Sequence, residues 1–197
     1  MRILILGAWL LLLPIAFAYH LGPGQTRVTL DAAAAKLADA DRLAAEKDYV
    51  AAVDAYDEAL KLVPAEFKAE TRRIRVERAK AMMLAQRLPE AHADAKALVD
   101  ELQEDPSADA KLLAEARLVM ANSQYYITWL MRLEGLGRDL WEPEIESARQ
   151  LHKLLAEQAE QRGDSTAAKS HKEDLESAIR LARMDLSELQ GLPLPSQ

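Results

Sequence analysis

The chain contains no cysteine. Disulfides, thiolate zinc sites, iron–sulfur ligation and cysteine nucleophiles are therefore excluded, as is the lipid-bearing cysteine of a bacterial lipoprotein. Glycine is scarce, at 7 residues, with none between Asp31 and Glu134, and only ten side chains are aromatic. A β-sandwich or a doubly wound sheet needs glycine-rich turns and β-branched runs, so neither fits this sequence. Basic charge is also in deficit: 25 Lys and Arg stand against 32 Asp and Glu, a formal net charge of −7. Nucleic-acid binding needs a basic stripe to neutralise phosphates. The one basic cluster is Arg72, Arg73, Arg75, Arg78 and Lys80. On a helix it spreads round the circumference and alternates with Glu70 and Glu77, which reads as a solvated face.

What the chain has in abundance is 36 Ala and 32 Leu, both strong helix formers, within a composition that is 50% hydrophobic. That is enough apolar surface for a packed core and argues against disorder. At the N-terminus, Arg2 precedes an apolar run over residues 3–13, then Pro14 and Ala16-Phe17-Ala18. One positive charge, a short apolar stretch and a small-x-small site describe a secretory signal peptide over residues 1–18. The alternative is an uncleaved membrane anchor over residues 3–19, slightly short for a hydrocarbon core of about 30 Å. Either reading places the rest of the chain outside the cytoplasmic membrane, periplasmic or secreted. Residues 19–28, including Leu21-Gly22-Pro23-Gly24-Gln25, form a spacer, residues 29–190 a helical domain and residues 191–197 a proline-rich tail.

Within 29–190 the punctuation predicts about seven helices. Thr29 or Asp31 caps the first, which runs to about residue 47, and Asp48 turns the chain into a second that Pro64 closes. A third covers about 66–86, and Pro89 opens a fourth to about 104. A long fifth begins at Asp105-Pro106-Ser107 and reaches about 132, where Gly135 and Gly137 interrupt. Pro143 stands where a first-turn proline belongs and opens a sixth to about 161, so residues 132–142 read as an insertion. A turn at Arg162-Gly163-Asp164-Ser165 leads into a seventh, ending near 190. Connections this short make neighbouring helices antiparallel.

The stretch from Asp48 to Pro64 carries Ala52 and Ala59 at small positions, Tyr49 and Tyr56 at aromatic ones, and a closing proline; Ala40 is the small residue facing them from the helix before. This pattern resembles the second helix of a tetratricopeptide repeat. Leu88-Pro89-Glu90-Ala91 restarts it, with Ala91 in the place of Ala52. Small residues there let helix axes approach closely. The resemblance implies an all-α, TPR-like solenoid of α-α hairpins behind an N-terminal hydrophobic helix, in which stacked hairpins bury what no single one could.

Catalytic chemistry finds little support. His20, His92, His152 and His171 are scattered, with no i, i+4 pair; His171 and Asp174 share a helix face but do not by themselves make a metal site, so no metal or cofactor is expected. Glu142, Glu144 and Glu146 suit a helix N-terminus through its dipole. The fifth helix shows two stripes, one through Leu112, Ala116, Val119, Ser123, Ile127 and Leu130, the other through Leu118, Asn122, Tyr125 and Trp129. The second stripe has two readings: buried core, or the concave groove in which the resemblance implies that first helices present side chains to peptides. On the groove reading, Asn122, Tyr125 and Trp129 bind a partner. The expected function is a non-catalytic interaction scaffold of a bacterial-type envelope, whose partner is another envelope protein or peptide segment, with membrane contact through the N-terminal segment if it is uncleaved. The alternatives are a wall-active hydrolase, needing convergent carboxylates among Glu142, Glu144 and Glu146, and a purely structural periplasmic bundle.

Overall fold

The computed structural model describes residues 23–190, with side chains from Arg27 onward. The signal or anchor segment, spacer residues 19–22 and the tail 191–197 lie outside the described residues. Among the described residues there are eight α-helices and no strand: α1 (Pro23–Ala45), α2 (Tyr49–Leu62), α3 (Lys68–Leu84), α4 (Leu88–Glu104), α5 (Ala110–Leu133), α6 (Arg138–Gln161), α7 (Ser165–Arg183) and α8 (Leu186–Gln190). None of these helices is long and apolar enough to cross a membrane. The chain divides into two compact units, residues 1–74 and 75–197, the border falling inside α3.

In the first unit α1 and α2 form a hairpin. Lys47 takes the left-handed backbone (φ 65°) that reverses the chain, and the Asp48 carboxylate caps α2 by accepting from the Ala51 N–H at 3.2 Å. Ala40, Ala52 and Ala59 are fully buried, while Val53 and Tyr56 fill the adjoining space. The Tyr56 hydroxyl donates to Asp41 at 2.7 Å, and Lys36 pairs with Glu58, so polar bonds tie the two helices beside the apolar seam. Tyr49 and Pro64 are half-buried at the ends of α2. Helix α1 already runs from Pro23, six residues before Thr29; the ring of proline presets the φ of a first helical turn, so part of the expected spacer is helix.

In the second unit α4 packs on α5, α5 on α6 and α6 on α7, and α8 returns onto α5. The core gathers Trp129, Trp141, Ile145, Ala148, Ala178, Leu181 and Leu189. Arg132 stacks its guanidinium 4.8 Å from the Trp141 ring and donates to the carbonyls of Leu181 and Met184, which closes the end of α7 over this core. Ala91 is fully buried.

Four sequence readings need correction here. Helix α5 starts at Ala110 with Asp109 as its cap, because Asp105 instead holds a tight turn through the Ser107 N–H at 2.9 Å. Helix α6 starts at Arg138, so Pro143 lies within the helix and the expected insertion shrinks to residues 134–137. A proline near the helix start removes only one ladder bond, and the turn it spares carries Trp141 into the core. The last predicted helix is two, α7 and α8, separated at Met184-Asp185. Asp185 accepts from the Glu188 N–H at 2.8 Å while the Glu188 carboxylate accepts from the Asp185 N–H at 3.1 Å, a reciprocal capping box that starts a new helix. The basic cluster, finally, is no solvated face. Arg72 is buried, Arg75 pairs with Asp94 at 2.7 Å and Glu101 at 2.8 Å, and Arg78 reaches Asp94 at 3.2 Å.

Candidate functional site

Helix α5 carries Asn122, Tyr125 and Tyr126 at i, i+3 and i+4, which places them on one face. They line a cleft of about 270 Å³ with His152 from α6 and Asp174 and Ser177 from α7. A second cleft of about 230 Å³, lined by Lys80, Met83, Leu84 and Val119, shares Asn122 and Tyr126 with the first. The α5 face therefore offers a polar recess and an apolar one side by side. Tyr125 and Tyr126 meet edge to face at 5.5 Å between ring centroids.

Of the three expected binding residues, the structure places Asn122 and Tyr125 at the cleft and Trp129 elsewhere. Trp129 is 5% exposed, a member of the core around Trp141 and Leu181. Its ring touches Tyr125 at 6.3 Å, so it backs the cleft without lining it.

His152 and Asp174, which line the polar recess, come together with His171, one donor atom of each lying within 4.8 Å of the others. The Asp174 carboxylate oxygen lies 3.9 Å from His152 Nδ1 and 4.0 Å from His171 Nδ1. His152 is 2% exposed. Burial, reinforced by the neighbouring His171, lowers its pKa to about 4, so its imidazole is neutral at neutral pH. Burial raises the Asp174 carboxyl against the downward pull of His171. The Tyr126 phenol is pushed up by burial and by the charge of Asp174. Tyr126, His152 and Ser177 were not singled out from the sequence. The signal for His152 is positional: it and Asp174 stand at equal distances on either side of Gly163, whose positive φ of 74° turns α6 into α7, and mirror positions in an antiparallel hairpin face each other.

A second constellation involves Ser123, His92 and Glu144. His92 Nδ1 lies 3.1 Å from Ser123 Oγ, and His92 Nε2 lies 3.7 Å from Glu144. The order imitates a nucleophile, base and acid, but Ser123 is fully buried and its hydroxyl donates to the Met120 carbonyl at 2.7 Å. With its one proton engaged along its own helix, the oxygen accepts from His92 and has no substrate-facing side. Glu144 also accepts from Gln124 at 3.1 Å, Glu142 pairs with Arg138 at 2.5 Å, and Glu146 with Arg149 at 2.6 Å. The three carboxylates thus serve separate partners and do not converge.

Comparison with protein-family models gives no match to the chain, and comparison with curated proteins gives none.

Proposed function

We propose that the chain is a non-catalytic binding module of the cell envelope, a TPR-like hairpin stack whose α5 face receives an extended segment of another envelope protein. The observation that carries this reading is the pair of adjoining clefts that share Asn122 and Tyr126. An amide and phenols beside an apolar recess can hold a peptide backbone and one apolar side chain at once. Aromatic anchors of this kind commonly dominate interface energy. Trp129 supports the face from behind, as part of the core. The repeat reading draws on Ala40, Ala52, Ala59 and Ala91, all fully buried, and on Pro64 closing the first hairpin. The non-catalytic reading draws on Glu142, Glu144 and Glu146, each engaged with a different partner. Placement outside the cytoplasmic membrane draws on the sequence of residues 1–18.

The test is site-specific photocrosslinking in cells with the probe at position 125, against a control at the exposed Lys153. A discrete adduct with one envelope protein at position 125 and none at 153 is the expected outcome. Identical patterns at both positions overturn the groove. N-terminal sequencing of the same material reads Tyr19 if the segment is cleaved and Met1 if it anchors the chain.

A further inference from the structure

Two imidazoles and one carboxylate on two packed helices form a donor set that no protein–protein function requires. His171 and Asp174 are one turn apart on α7, and His152 meets them from α6. Both His152 Nδ1 and His171 Nδ1 are buried without a hydrogen-bond partner. Leaving such an atom unsatisfied costs its full desolvation. His152 in particular is 98% withdrawn from solvent with its orphaned nitrogen directed at Asp174. The two orphaned nitrogens lie 3.9 and 4.0 Å from one Asp174 carboxylate oxygen, too far for a hydrogen bond and close enough to share an ion.

We propose that His152, His171 and Asp174 bind a single Zn²⁺ ion at the inner wall of the cleft between α5, α6 and α7. The chemistry of the donors selects the metal. Two of three are imidazoles, which suit Zn²⁺ and its first-row neighbours, whereas Mg²⁺ and Ca²⁺ require oxygen shells. Zinc holds nitrogen and carboxylate ligands at about 2.0–2.2 Å, hence about 3.3 Å from one another in a tetrahedron. The present separations, 3.9 and 4.0 Å from Asp174 to the two imidazoles and no more than 4.8 Å across the whole set, close to that value by side-chain rotation. Three protein ligands leave the fourth tetrahedral position to a water or to a ligand group entering the cleft, beside Tyr126 and Ser177. The site stands whether or not a protein segment occupies the α5 face.

The experiment is isothermal titration of the full-length chain, stripped with a chelator, with Zn²⁺ alone. One ion per chain is expected, with no binding of Mg²⁺. His171→Ala and Asp174→Ala should each weaken binding by about a hundredfold, at least the upper end of what losing one supporting group costs a metal site. His92→Ala and His20→Ala should leave it unchanged. Zinc should raise the melting temperature of the parent chain and not that of the two ligand variants. Failure of the parent chain to take up zinc overturns the site. So does His171→Ala that folds by circular dichroism yet binds zinc like the parent. Substitution with Co²⁺ gives a reading that needs no variant: intense visible bands of tetrahedral coordination support the site, and a weak octahedral spectrum overturns it.

Discussion

Acid should destabilise the metal-free chain in part through His92, whose pKa burial also lowers, and above all through His152. It is 2% exposed, and burial holds its pKa at about 4 against an ordinary 6.5. The groups facing it are His171, Asp174 and the phenol of Tyr126. Above pH 6.5 neither the folded nor the unfolded chain carries a proton there, so the residue contributes no pH dependence. Between 6.5 and about 4 the unfolded chain takes up the proton and the folded chain does not, so stability falls as the solution is acidified. Below about 4 the loss is complete and constant. At about 1.36 kcal/mol per pH unit, that window amounts to roughly 3 kcal/mol, a large share of the 5–15 kcal/mol typical of a folded domain. The raised carboxyl of Asp174 acts in the opposite sense, binding its proton more readily when folded, and so softens the fall at the acid end. Urea unfolding followed by circular dichroism, with chelator present, measures the profile from pH 7 to pH 4. His152→Asn should have lower stability at pH 7 and a flatter profile below 6.5. Parallel profiles for parent and variant, or an imidazole that titrates near 6.5 by NMR, would refute the reasoning.

The remaining expectations concern packing and ion pairing. Trp129→Ala should cost about 3–5 kcal/mol, seen as a large drop in melting temperature, since the ring is 5% exposed in the core; an unchanged melt would return Trp129 to the binding face. Ala52→Leu should cost on the order of 1–3 kcal/mol by overpacking a fully buried position, whereas Ala35→Leu on the exposed side of α1 should shift stability by less than about 0.5 kcal/mol; equal shifts in chemical denaturation contradict the hairpin packing. Asp94→Ala strips a shared carboxylate from Arg75 and Arg78, both only about a fifth exposed, and should cost about 1.5–3 kcal/mol in urea; a change under about 0.5 kcal/mol would make the pairs ordinary surface contacts.

Much of the helical architecture is local and is therefore written in the sequence. Asp48, Pro64 and Gly163 act on their own backbone through capping, a missing N–H or a left-handed φ, and the structure breaks its helices at each of them. The alanines at Ala40, Ala52, Ala59 and Ala91 are buried because small residues in an amphipathic pattern have one face to turn inward. Tertiary contacts decided the rest. Pro143 reads as a helix start, yet the core's demand for Trp141 draws the helix back to Arg138. Tyr125 and Trp129 are one turn apart on the same face, and nothing local distinguishes a groove residue from a core residue. Their fates diverge because α8 folds back onto α5 and brings Leu189 into the cluster with Trp129, while Tyr125 stays at the cleft. His152 is nineteen residues from His171 along the chain. Only the closing of α6 against α7 puts their nitrogens beside one carboxylate, because an antiparallel hairpin pairs residues by their distance from the turn rather than from each other.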